Sequence, residues 1–119
     1  MFYQLCFIDM DDLMIYFKKY KSENGDIIAM CDKNIIGKIY KDKKTGVVID
    51  LDKYANFYKG ELVEPDEAFN MLKDVYLYTG NIVGDESVSV VIKAGLAEGT
   101  EVIKIDKVPS LHIYRIMNQ

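Results

Sequence analysis

Three sets of side chains in this chain could carry chemistry. The first is Cys31 with His112 and Asp32. A thiol nucleophile needs a base to take its proton, and an imidazole base needs a carboxylate to orient it. The residue types are present, but no spacing rule joins them. Cys31 follows Ile27-Ile28-Ala29-Met30, where a cysteine behaves as a small buried hydrophobe. His112 sits between Leu111 and Ile113 in a final alternating run, a pattern that predicts a solvent-facing or capped ring. The second set is Asp50 and Asp52, two apart on one strand face, which could present paired carboxylates to a divalent cation if Glu61 or Glu64 folded beside them. The same spacing also describes the wet face of an amphipathic strand.

The third set is the largest. Lysines are interleaved with aromatic residues in Tyr16, Lys18, Lys19, Tyr20 and Lys21, again in Lys38, Tyr40, Lys41, Lys43 and Lys44, and again in Lys53, Tyr54, Phe57, Tyr58 and Lys59. Ammonium groups hold phosphates and flat rings stack bases, which is how sheets and grooves bind single-stranded RNA with little sequence preference. The binding residues this pattern selects are Lys18, Tyr20, Lys38, Lys41, Lys43, Lys44, Tyr58 and Lys59. No RNP-type motif accompanies them, and in a chain without tryptophan some of these rings must fill the core. The segment Asp42-Lys43-Lys44-Thr45-Gly46 shares a Lys-Thr pair with phosphate loops but lacks the glycine spacing that aligns backbone amides.

These residues must be positioned by a single domain. The chain has 119 residues, half of them apolar and 29% charged, a composition that folds around a core without staples. Its two cysteines, Cys6 and Cys31, form no Cys-x-x-Cys pair and neither lies near the single histidine, which excludes a disulfide framework and a zinc site of four ligands. No cofactor is expected. The apolar first residues lack a basic leader and run into Asp9, Asp11 and Asp12, too short for a membrane span and unlike a secretory signal. A cytoplasmic protein with no membrane partner is the expectation.

The net charge of −4 is unevenly spread. Residues 14–60 carry ten lysines against six acids, a sum of +4, and residues 61–106 carry three lysines against ten acids, a sum of −7. Such halves can mark a surface for a polyanion or, on the acidic side, for a basic protein, or can be solvated faces of no consequence.

Leu13 to Lys21 and Asp26 to Asp32 read as a hairpin turned by Asn24-Gly25. Asp32 then caps a short helix closed by Gly37. Lys38 to Lys41 and Val47 to Asp52 read as strands, the latter with Val47, Ile49 and Leu51 inward. Lys53 to Val63 reads as an ordered loop. Pro65, Asp66 and Glu67 open a helix that ends near Tyr78, and Asn81 to Gly84 reads as a second loop. Asp85 to Ala94 is a second helix stopped by Gly95, and Glu101 to Asp106 and Leu111 to Ile116 are strands joined by Lys107 to Ser110. The result is an α+β domain: a two-layer sandwich of a mainly antiparallel sheet with two main helices on one face.

Six separated segments also carry a family resemblance: Ala29-x-Cys31-Asp32 with Gly37-Lys38, Val48-x-Asp50, Phe57-Tyr58-Lys59-Gly60-Glu61, Asn81-Ile82-Val83-Gly84, Gly95-Leu96 and Val108-Pro109. From about Met14 to about Tyr114 the chain resembles the archaeal family called domain of unknown function 424. The resemblance implies a compact α+β fold in an archaeal, intracellular protein and supplies no substrate, cofactor or catalytic residue. The family places a histidine before a glutamine after its late Val-Pro, whereas here Ser110-Leu111-His112 follows, so a family role does not transfer to His112. Residues 1–13 are unmatched, an extension before a single domain over 14–119, and Met14 could be the initiator.

The leading functional reading is a non-catalytic binding module with RNA or a ribonucleoprotein as partner. One alternative is an enzyme or a small-ligand or metal-binding protein with a pocket near Asp50, Asp52 and the Phe57–Glu61 loop. Another is a protein-interaction subunit that uses the acidic second half.

Overall fold

The computed structural model describes residues 13–115. The expectations for residues 1–12, including Cys6, lie outside them. Two apolar runs separated by a polar pair set the first element. β1 (Ile15–Ser22) and β2 (Gly25–Asp32) pair antiparallel from Ile15 opposite Asp32 to Ser22 opposite Gly25. The turn residues are therefore Glu23 and Asn24, one place earlier than expected. Gly25 already belongs to β2, paired with Ser22, and the position takes only glycine, because its φ is 134° and a Cβ there would stand 2.7 Å from the carbonyl oxygen of Tyr76.

A 3-10 turn (Lys33–Ile35) leads into a small separate hairpin, β3 (Ile39–Lys41) and β4 (Val48–Asp50), with Tyr40 opposite Ile49. Within the segment read as a loop lie two short elements, the single-turn helix α1 (Ala55–Tyr58) and the edge strand β5 (Glu61–Val63), which pairs with Ile15–Phe17 of β1. Three residues are too few for period-two alternation to be visible.

Pro65 opens α2 (Pro65–Leu72), with Asp66 and Glu67 in its first turn. The helix ends at Leu72 rather than Tyr78, and the chain reverses into β6 (Leu77–Val83), a central strand that the sequence reading divides between helix and loop. Val75 and Tyr76 prolong a helical stripe on paper, and Gly80 and Asn81 are poor strand formers. Pairing on both sides, parallel to β2 and antiparallel to β8, overrides that local preference. α3 (Asp85–Lys93) follows as expected and stops at Gly95, φ 77°. β7 (Ile103–Ile105) and β8 (Val108–Tyr114) close the fold. Their turn is the pair Asp106-Lys107, both with positive φ, so Val108 to Ser110 belong to the strand and not to the connection.

The six strands run β5-β1-β2-β6-β8-β7, antiparallel except for the central β2–β6 pair. This is the α+β class read from the sequence. Because side chains alternate along a strand, Ile15, Phe17, Ile28, Met30, Ile82, Leu111 and Ile113 fall on one face, where Ala68 and Leu72 of α2 and Val88 and Val91 of α3 cover them. The other face departs from a plain two-layer sandwich. There Cys31 and Val83 of the sheet meet Leu51, with Ile35, Ile36, Ile49 and Tyr58 packed round them, so the segment from the 3-10 turn to α1 forms a partial third layer over a second, smaller core.

Candidate functional site

The strand register lays the open face out in rows. One runs Tyr16, Cys31, Val83, Ser110; the next Lys18, Ala29, Asn81, His112; the third Tyr20, Ile27, Thr79, Tyr114. α1 and β4 stand over this face with a groove of about 630 Å³ between them and the sheet. Asn81, Val83 and Ser110 line its floor. Val48 to Leu51 form one wall, and Tyr54, Phe57 and Tyr58, with Lys53, form the other. Asn81 and Ser110 are half-buried, and neither side chain makes a hydrogen bond to another described residue.

The residues selected by the lysine–aromatic pattern separate into two groups. Lys18, Tyr20 and Tyr58 converge on α1. The Nζ of Lys18 donates to the carbonyl oxygen of Asn56 at 3.0 Å and lies 5.3 Å from the centre of the Tyr20 ring. The Tyr20 hydroxyl donates to the carbonyl oxygen of Phe57 at 2.8 Å, and the two rings stack with centroids 5.4 Å apart. Tyr58 meets Phe57 edge-on at 5.1 Å and packs into the second core. Burial, with a smaller effect from Cys31, pushes the Tyr58 phenol up to about 12. These rings anchor α1 to the sheet and are half-buried in doing so. Tyr54 is the groove aromatic with an open surface: it is 54% exposed, with Lys53 Nζ 5.5 Å from its centroid.

Lys38, Lys41, Lys43 and Lys44 belong to the β3–β4 hairpin or its entry, and Lys59 follows α1; all five are exposed. At the tip the Asp42 carboxylate accepts both the N–H (2.9 Å) and the hydroxyl (2.7 Å) of Thr45, which holds the turn and keeps Asp42 below the ordinary carboxylate range. Lys43 and Lys44 project from that braced turn.

The fold redistributes the sequence's charge asymmetry onto two faces. The layer on the open face, residues 33–59, carries seven lysines against three aspartates, net +4. On the helix side, residues 64–101 carry eight acids against two lysines, net −6. A linear bias has become an electrostatic difference between the two sides of one sheet.

The other constellations are not assembled. Cys31 is 0% exposed, and its thiol is pushed up to about 12, mainly by burial and secondarily by Asp32. His112 lies two strands across and two residues along from it, about 10 Å sideways before the offset is counted. A dyad of Cys31 and His112 is thus ruled out, while His112 is exposed as expected and stands opposite Asn81. Asp32, expected to cap the short helix after it, makes no such bond. Its carboxylate instead accepts the N–H groups of Glu86 and Ser87 at the start of α3. β4 ends at Asp50, so Asp52 lies in a turn, and Asp50 Oδ1 accepts the backbone N–H groups of Asp52 (3.1 Å) and Lys53 (2.8 Å). Among the described residues no group of three or more His, Cys, Asp or Glu could hold a metal ion. The Asp50 carboxylate braces a turn that Asp52 enters through its backbone N–H.

Sequence reasoning missed Asn81 and Ser110. The stretch containing Asn81 reads as a loop, and Ser110 reads as part of a connection. The available signal was the alternation Thr79, Asn81, Val83 ahead of Gly84, which becomes legible once α2 is stopped at Leu72.

Among the described residues no helix is long and apolar enough to cross a membrane. No curated protein matches the chain. One solved structure, the crystal structure of an uncharacterized conserved protein from Methanopyrus kandleri, is similar at 24% identity and a TM-score of 0.70 over 89% of this chain and 97% of that one, a likeness of fold. The family model described as Protein of unknown function (DUF424) matches residues 20–116, which take in β2, the groove-forming layer, both long helices and β8, and the chain therefore belongs to that family.

Proposed function

We propose that this protein is a non-catalytic binding protein that takes single-stranded RNA, free or in a ribonucleoprotein, on the open face of its sheet. The observation that carries this reading is the coincidence of the groove with the positively charged layer. Lysines at the hairpin and after α1 suit a phosphate backbone, and the exposed ring of Tyr54 beside Lys53 suits a stacked base. The groove stands where the sequence leads one to expect a small-ligand pocket. Its lining offers aromatic rings, an amide, a hydroxyl, the Lys53 ammonium and the Asp50 carboxylate, and that carboxylate already accepts two backbone N–H groups, a set that favours binding over catalysis.

The test is retention of a labelled single-stranded RNA of mixed sequence at low and near-physiological salt. Electrostatic binding weakens steeply as salt rises, by a log–log slope of about 0.7 per phosphate engaged on a single strand. An absence of binding at low salt would overturn the proposal and leave the acidic helix side, as a docking surface for a basic protein, in front.

A further inference from the structure

Resting on that RNA-binding reading, we infer that the bound strand leaves the groove along β8 and lays two further bases on His112 and Tyr114. Side chains alternate along a strand, so Ser110, His112 and Tyr114 share the open face. Ser110 lines the groove floor, His112 stands in the next row and Tyr114 in the row after it. The layer over this face rests through α1 on β1 and β2, which β6 separates from β8. β7 pairs with Val108–Ser110, so beyond Ser110 no described strand flanks the outer edge of β8. Both rings are therefore exposed, Tyr114 by 61%. Tyr20, at the opposite end of the Tyr114 row, is by contrast already stacked on Phe57.

The Tyr114 ring is held in place before anything binds. Its hydroxyl lies 3.3 Å from that of Tyr78, and the two ring centroids are 5.6 Å apart with planes inclined at 52°. A ring already fixed loses little freedom when a base covers it. His112 and Tyr114 are two positions apart on a strand, about 7 Å, roughly twice the spacing of successive nucleotides along one strand of a duplex. The RNA must therefore be extended and unstacked, one base to each ring. No acidic residue occurs in the three open-face rows, and Lys18, in the His112 row, keeps ammonium donors beyond the one given to Asn56. A phosphate backbone meets no carboxylate of the sheet along this path. Because every base has a face to stack, the platform adds affinity without base preference.

The experiment titrates labelled single-stranded oligo(U) into the full chain and into Tyr114→Ala, Tyr114→Phe and His112→Ala, each checked for an unchanged circular dichroism spectrum. Tyr114→Ala is expected to bind about 5- to 150-fold more weakly, the span of one lost base stack, with an unchanged salt slope because the ring carries no charge. Tyr114→Phe keeps the stacking face and should bind nearly as well as the unmodified protein. His112→Ala should weaken binding in the same range as Tyr114→Ala. The unmodified protein gives a second readout: His112 is the single histidine of the chain, so its ring signals in the NMR spectrum belong to one residue. They are expected to move upfield as a base stacks on the imidazole. Tyr114→Ala and His112→Ala that bind as tightly as the unmodified protein, or imidazole signals that stay in place while the RNA is bound, would overturn the β8 path and leave RNA binding intact. Failure of the unmodified protein to bind at low salt would overturn both.

Discussion

Asp32 and Ser87, 55 positions apart, are joined twice by one oxygen: Asp32 Oδ1 accepts the backbone N–H of Ser87 at 2.8 Å and its hydroxyl at 2.7 Å. With Oδ2 taking the N–H of Glu86 at 2.9 Å, the end of β2 supplies the N-terminal cap of α3 that Gly84 has no side chain to provide. The approach is so close that a Cβ on Gly84 would collide with the carboxylate, and Gly84 also holds a φ of 112°. Asp32→Ala leaves two backbone N–H groups and the Ser87 hydroxyl at the start of a packed helix without that acceptor, and is expected to cost about 2 to 4 kcal/mol of stability. Ser87→Ala should cost about 1 kcal/mol. Urea unfolding followed by circular dichroism checks both, and a ranking with Ser87→Ala as the costlier change would refute the capping role.

Alkaline pH should weaken the second core. Burial raises Cys31 from an ordinary value of 9.0 to about 12, and Tyr58 from 10.0 to about 12. A folded-state pKa above the unfolded one means that the folded protein holds its proton more tightly. The stability tied to each group is therefore complete below its unfolded pKa and is lost as pH rises through the folded one. The urea midpoint is expected to fall between about pH 9 and 12, more gently in Cys31→Ala and Tyr58→Phe. Parallel curves for all three proteins would show that neither group carries the effect.

Cys31 should also resist thiol reagents in the folded protein, because the neutral buried thiol is a poor nucleophile. Labelling at neutral pH is expected to track global unfolding as urea is added. Rapid modification under native conditions would contradict the packing described for the second core.

Gly60 and Gly99 offer a matched contrast. A Cβ on Gly60 would press into the carbonyl oxygen of Phe17 and the backbone of Lys18, where β5 joins β1, whereas one on Gly99 meets nothing within 4 Å. Gly60→Ala should destabilise by about 1 to 3 kcal/mol, as overpacking does. Gly99→Ala should be near neutral. Equal thermal midpoints for the two variants would mean that the β5–β1 junction is looser than described.

Changing Lys41, Lys43 and Lys44 together to Glu should weaken RNA binding for all sequences alike, since phosphate contacts carry no base information. The salt slope should shrink by about 0.7 for each phosphate that is no longer held. Their exposure at the hairpin predicts little change in melting temperature. Tyr54→Ala should cost about 1 to 3 kcal/mol of binding with folding intact. Tyr20→Ala and Tyr58→Ala should instead lower stability, since their rings hold α1 to the sheet. Binding that survives the triple change with an unaltered salt slope would place the RNA elsewhere on the surface.

The first hairpin, the start of α2 at Pro65 and α3 with its stop at Gly95 were legible in the chain because each is written by neighbouring residues: an apolar run broken by a polar turn, a proline with acids behind it, a glycine free to take positive φ. The class of fold and the family resemblance followed from such local signals. β5 and β6 were not legible, because a three-residue strand has no period to detect and the Gly80-Asn81 stretch becomes a strand only when β2 and β8 pair with it from both sides. With β6 unseen, Asn81 could not be placed on the sheet or the groove above it. Tertiary structure likewise decided that Asp32 serves a distant helix, that Tyr20 and Tyr58 turn inward while Tyr54 stays open, and that a charge bias along the chain becomes a difference between two faces. Each of those outcomes depends on packing between residues far apart in sequence, and composition and periodicity report only on near neighbours.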